Sequence, residues 1–167
     1  TITFAQASTI LISTRAGTNW SPHRALPQEI NKGFTMAVWS DAEGNLYFTR
    51  QAGLQVAYHT EDGYQPAVSL GPQFQPPMGD AAHGFIAPDG SYLIFDSQGR
   101  ADGKGRADLY ISFRNEDLSW TEPANLAALN TPGTEMCACV SPDEQFLFFC
   151  RDGDIYWVDA SILKEYR

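Results

Sequence analysis

Three histidines occur in the chain, His23, His59 and His83. Only His83 falls on a stretch that reads as the first strand of a repeated unit. A histidine there works as a general base or metal ligand only beside acidic neighbours, and the sequence offers Asp80 and Glu135. That trio would suit a hydrolase or lyase acting on glycans or peptides, with a metal as an option. The simpler reading is a histidine satisfied by hydrogen bonds between packed sheets, because no ligand spacing accompanies it.

A second group lies on a Gly-rich crossing. Asp96, Asp102 and Asp108 recur every six residues, and carboxylates on such a loop can hold calcium. The EF-hand spacing is absent, so a solvated loop is the plainer reading, and no other cofactor is implied. On the same crossing Arg100, Asp102, Lys104 and Arg106 form a mixed-charge set. Its interleaved charges read as a solvated loop sooner than a nucleic-acid patch, and these are the contact residues if the chain binds a protein or peptide. The three cysteines are Cys137, Cys139 and Cys150. Regular alternation would put Cys137 and Cys139 on one face of a strand, with Cys150 on the neighbouring strand. They read as small buried hydrophobes, with a disulfide or metal as alternatives. No nucleophile elbow, H-E-x-x-H, phosphate loop or dinucleotide fingerprint is present. The segment Ser13 to Trp20 faintly resembles an Asp-box turn, but Arg15 stands where the Asp belongs.

The elements that must position these residues are strands. An apolar strand end (Phe85, Ile86) enters a Pro-Asp-Gly turn at Pro88–Gly90. Tyr92 to Phe95 follows as a second strand, and Leu109 to Ser112 as a third. This unit recurs upstream at Val38–Arg50 and downstream at Cys139–Arg151. Aligning Ser40, Ala87 and Ser141 gives spacings of 47 (Ser40 to Ala87) and 54 (Ala87 to Ser141), close to the roughly 40–50 residues of a propeller blade. Third strands repeat as Val56-Ala57-Tyr58, Leu109-Tyr110-Ile111 and Ile155-Tyr156-Trp157. An aromatic–proline element follows in several copies: Trp20-Ser-Pro22, Tyr64-Gln-Pro66 and Trp120-Thr-Glu-Pro123. The Trp pair reads as packing between sheets. Pro72–Pro77 and Leu26–Asn31 read as links, and Ala160–Arg167 as a short terminal helix.

Composition fits this pattern. The chain has 167 residues, 43 % hydrophobic and 13 % aromatic, enough for one domain with a sizeable core. A net charge of −9 argues against a phosphate-backbone partner. No apolar run is long enough to span a membrane as a helix. Opening on Thr1, the sequence reads as a processed form, a trimmed form or a fragment.

The pattern S-P-D-x-x-x-L-F-F-x-R-x-x-D-I-Y-W-V-D at Ser141–Asp159 resembles the TolB-like β-propeller repeat, a bacterial relative of the WD repeats. Ala87–Tyr110 matches nearly as well, whereas Ser40–Gly44 departs from the Pro-Asp-Gly turn. The resemblance covers roughly residues 33–160. It implies an all-β fold of four-stranded antiparallel blades, three to four in this chain, as a partial or small propeller. Its divisions would be 1–32 (partial blade), 33–78 (blade), 79–132 (blade) and 133–167 (partial blade), with three, four, four and three strands. It further implies a central channel walled by two columns, Met36/His83/Cys137 and Phe34/Ala81/Glu135. By the same likeness the expected role is a non-catalytic module binding a protein or peptide, in the periplasm or secreted. Bare strand edges would be covered by a partner or by a second copy completing the ring.

Overall fold

The computed structural model describes residues 1–6, 8–51 and 53–167. They form small antiparallel sheets joined by short links. The first sheet holds β1 (Ile2–Gln6), β2 (Thr9–Ser13) and β5 (Arg24–Ala25). A small hairpin, β3 (Arg15–Ala16) with β4 (Asn19–Trp20), projects from it. The second sheet runs β6 (Thr35–Ser40), β7 (Leu46–Arg50), β8 (Gly53–Ala57) and β11 (Val68–Ser69), with β9 (His59–Thr60) and β10 (Gly63–Tyr64) as another hairpin. The third runs β12 (Asp80–Ile86), β13 (Tyr92–Gln98), β14 (Asp108–Phe113) and β15 (Ala124–Asn125). The fourth has β16 (Glu135–Val140), β17 (Phe146–Arg151) and β18 (Asp154–Asp159). The expected sequence of three, four, four and three strands is present, and the fold is all-β apart from two short 3-10 helices at Pro72–Phe74 and Ala160–Tyr166. No helix among the described residues is long and apolar enough to cross a membrane.

The second, third and fourth sheets repeat the same antiparallel strand order, but not in the register the sequence suggests. Ser40 pairs with Leu46, Ile86 with Leu93 and Val140 with Leu147. Asp41, not Ser40, is therefore the counterpart of Ala87 and Ser141. Each of these three donates its amide to the residue that closes the turn, Asn45, Tyr92 and Phe146 respectively. The Asp41–Asn45 turn is one residue shorter, so an ungapped alignment matches the second strands and slips on the first. All three turns place their fourth residue in the left-handed region: Gly44 (φ 86°), Gly90 (φ 71°) and Glu144 (φ 58°). Third strands need a correction too. Phe48 faces Gln55, Phe95 faces Tyr110 and Phe149 faces Tyr156, so Leu54-Gln55-Val56 replaces Val56-Ala57-Tyr58 as the matching segment.

Packing between consecutive sheets supplies the core. Ile10, Ile12, Leu46 and Phe48 join the first sheet to the second. Leu54, Val56, Leu93, Phe95 and Tyr110 join the second to the third. Ile94, Ile111, Val140, Leu147 and Phe149 join the third to the fourth, with Leu163 of the terminal 3-10 helix added. Removing such apolar area from water contributes roughly 25 cal/mol per Å2, and here it accrues sheet against sheet.

The links are structural parts, not spacers. Leu26, Leu70 and Leu126 donate their amides to Ile10, Leu54 and Leu109, the same position of each third strand. Asn31 and Asn130 then clamp that residue from the side: Leu109 donates its amide to Asn130 Oδ1 (2.8 Å) and accepts from Asn130 Nδ2 (2.9 Å). Asn31 does the same for Ile10 at 2.7 and 3.2 Å. Where the second sheet has no such Asn, Pro72–Phe74 inserts Phe74 edge-on against Phe95 and Trp120. The proline-rich stretch is thus pinned by a buried aromatic. Trp120 packs as expected, while Trp20 is exposed.

Removing the Asn130 clamp leaves the buried Leu109 amide unpaired, while the Leu109 carbonyl still accepts from Leu126, at about 2 kcal/mol. Asn130→Ala should lower the urea-unfolding free energy by that amount, whereas the exposed Asn115→Ala should change it by less than about 0.5 kcal/mol. Equal effects of the two would contradict the clamp.

Candidate functional site

Each full first strand carries a β-bulge at the same place, between Met36 and Trp39, between Ala82 and Phe85, and between Met136 and Cys139. The extra residue bends the strand and re-aims one side chain. At all three bulges a non-glycine residue sits in the left-handed region: Ala37 (φ 51°), His83 (φ 46°) and Cys137 (φ 56°). The column that contains His83 is therefore Ala37/His83/Cys137, and Met36 does not belong to it. The neighbouring column is Thr35/Ala81/Glu135, not Phe34/Ala81/Glu135. All three of its members are buried, so Glu135 does not face an open channel.

Each bulge amide of the third and fourth sheets is held by the sheet before it. His83 donates its amide to Thr49 Oγ1 of β7 (3.0 Å), and Cys137 donates its amide to Asp96 Oδ1 of β13 (3.0 Å). Thr49 and Asp96 are equivalent, being paired with Met36 and Ala82. Because β12 touches both β6 and β16, this geometry brings residues of the third and fourth sheets together. His83 Nδ1 lies 2.9 and 3.1 Å from the two Asp96 oxygens. His83, Asp96 and Cys137 are the one group of at least three His, Cys, Asp or Glu residues among the described residues whose donor atoms all lie within 4.8 Å of one another. Asp96 is buried, His83 half-buried and Cys137 exposed, so the cluster opens to solvent on the thiol side. The hydrogen bond to Asp96 and then that to Cys137 outweigh burial and raise His83 to about 10. The shift favours the protonated ring, held by the Asp96 carboxylate.

The other sequence candidates go elsewhere. Glu135, fully buried, accepts from Thr131 Oγ1 (2.6 Å), the Thr131 amide (3.0 Å) and Arg151 Nε (2.9 Å). It is a structural anchor. Asp80, exposed at the start of β12, does not join the His83 group. Asp96, Asp102 and Asp108 do not converge on one point. Asp102 accepts from Tyr110 Oη (3.1 Å), and Asp108 caps the amides of Lys104 and Gly105 (3.0 and 3.1 Å). A calcium site from these three carboxylates is not formed.

The Gly-rich crossing is held against the body. Arg100 Nη1 donates to the carbonyls of Gln73 (2.9 Å) and Met78 (3.2 Å), and its guanidinium covers Tyr110 at 4.9 Å. Lys104 Nζ donates to the Ala127 carbonyl (2.6 Å). A Cβ on Gly105 would stand 2.2 Å from the Gly133 carbonyl, so glycine here serves close backbone approach. Of the four charged contact candidates, Arg106 alone has no side-chain hydrogen bond or ion pair among the described residues. It lines a cleft of about 400 Å3 with Asp80, Pro76, Pro77, Gly79 and Gln98.

The cysteine reading changes as well. All three thiols are free. The bulge breaks the alternation, so Cys139 shares its face with Met136 and Cys150 through the pairs Cys139–Phe148 and Met136–Cys150, leaving Cys137 apart and exposed. Burial, then the neighbouring Cys150 and Cys137, pushes the Cys139 thiol up. No family model matches the chain, and the search of curated proteins finds no significantly similar sequence.

Two outcomes test this geometry. A folded-state His83 value of about 10 against an unfolded value of 6.5 gives a stabilisation present in full below pH about 6.5 and lost as pH rises towards 10. In chelator-treated protein, the unfolding free-energy gap between wild type and His83→Gln should shrink across that window; a gap that widens with pH contradicts the pairing. Separately, Arg151→Met strands the Glu135 carboxylate in the interior. It should cost about 3 kcal/mol by urea unfolding, and adding Glu135→Gln should recover part of the loss. A cost below about 0.5 kcal/mol would contradict the buried pair.

Proposed function

We propose that the chain is a TolB-like propeller-type array acting as a non-catalytic module for binding a protein or peptide. The observation that carries this reading is the bulge repeated in β6, β12 and β16. Three adjacent first strands of like geometry, each burying one sheet against the next, support a radial stack. Within it, the cleft between the proline-rich link and the Gly-rich crossing is the favoured contact surface. It sets the free guanidinium of Arg106 against the exposed carboxylate of Asp80, with Pro76 and Pro77 as apolar wall. A short peptide with paired opposite charges fits that chemistry. The same reading has a second copy or a partner strand continue the stack beside β18, where Ile155 and Trp157 are exposed.

The hydrolase or lyase reading keeps one supporting observation, an imidazole held by a buried carboxylate beside an exposed thiol. It requires turnover that disappears in His83→Ala while the fold persists.

Selection from a random-peptide display library tests the binding module. Peptides retained by the wild type should bind Arg106→Glu at least about tenfold more weakly, and pairing Arg106→Glu with Asp80→Lys should select a charge-swapped set. Peptides indifferent to both changes, or none selected, would contradict the reading.

A further inference from the structure

We propose that His83, Asp96 and Cys137 bind a zinc ion, with the fourth coordination position open to solvent. The three donors arrive from three strands of two sheets, β12, β13 and β16, so the site exists only when the sheets are stacked. A set of one imidazole, one carboxylate and one thiolate suits Zn2+, a borderline-soft ion, better than calcium or magnesium, which take oxygen ligands. Tetrahedral zinc with bonds of about 2.0–2.3 Å holds its ligand atoms roughly 3.3–3.8 Å apart. The donors, all within 4.8 Å of one another, reach that spacing by small side-chain rotations.

The bulge by itself is not the argument, since Ala37 shares it without any donor. The argument is that two consecutive bulges carry the two best zinc ligands, and that a buried carboxylate lies against both. Asp96 Oδ1 already accepts the Cys137 amide, which fixes its orientation as an outer contact fixes a metal ligand. Oδ2, 3.1 Å from His83 Nδ1, has no other partner among the described residues. On binding, zinc replaces the proton shared by His83 and Asp96 and the thiol proton of Cys137, and both protons leave to bulk water. Exposure of Cys137 leaves the remaining position to water or to a donor from a partner.

The test uses the full chain, reduced and stripped with chelator, then titrated with Zn2+ and, in parallel, with Co2+. The expected result is one ion per chain, a thiolate-to-cobalt charge-transfer band, and a higher melting temperature with zinc. Cys137→Ser, an exposed and conservative change, should abolish the band. His83→Gln should weaken binding beyond the roughly 10–100-fold typical of an outer partner. Cys139→Ser and Cys150→Ser should bind as the wild type does. Circular dichroism confirms that each variant is folded before it is scored. Absence of binding by folded wild type, binding unchanged in Cys137→Ser, or an equal loss in Cys139→Ser would each overturn the proposal.

Discussion

The structure depends on one recurring interaction: a side-chain oxygen from the second strand of one sheet accepts the bulge amide of the next sheet's first strand. Thr49 does this for His83 and Asp96 for Cys137. A bulged amide has no ladder partner, and an unpaired buried donor costs about 1–3 kcal/mol. Meeting it from the neighbouring sheet turns a local defect into a coupling. Apolar packing alone would let sheets slide, because it is non-directional. The directed hydrogen bond fixes which residue of one sheet stands opposite which residue of the next.

A second coupling lies at the other end of the same strands. Arg50 and Arg151, at equivalent positions, donate to the carbonyls of Ile30 and Leu129 in the links that precede their sheets. Each guanidinium also covers the strand-two phenylalanine, Phe48 at 5.2 Å and Phe149 at 5.3 Å. The third sheet has Ser97 at that position, and Arg100 reaches in from the Gly-rich crossing to cover Tyr110 and hold the carbonyls of Gln73 and Met78. The insertion thus carries the cation that its sheet lacks. This explains why a loop rich in charge is bound closely to the body.

Much of this was legible in the chain. Period-2 apolar runs, the aromatic–proline elements and the turn residues gave the all-β class, the repeat and the strand count. The register was not legible, because a residue missing from the Asp41–Asn45 turn leaves no trace in an ungapped comparison. The site was half legible. His83 stands out as a histidine on a first strand, and the repeat places Cys137 in its column, but Asp96 is not drawn to them by the pattern. A bulge shifts every later residue relative to regular alternation, so Cys137 turns away from Cys139 and towards His83. Asp96 has a signal, since a carboxylate ending the apolar run Leu93–Phe95 is costly unless paired, but its six-residue spacing groups it with the loop carboxylates Asp102 and Asp108. Asp80 lies near His83 in sequence and Glu135 stands on the neighbouring column of the repeat, but neither placement says whether Arg151 already holds a carboxylate.

Sheet-to-sheet coupling through the bulge amides is most directly tested by amide hydrogen exchange at Cys137, read by NMR in the wild type and in Asp96→Ala. The account predicts that this amide is as protected in the wild type as the paired amides of β17, and that protection falls selectively in the variant while β17 stays protected. Rapid exchange of the Cys137 amide in the folded wild type, or full protection in Asp96→Ala, would contradict it.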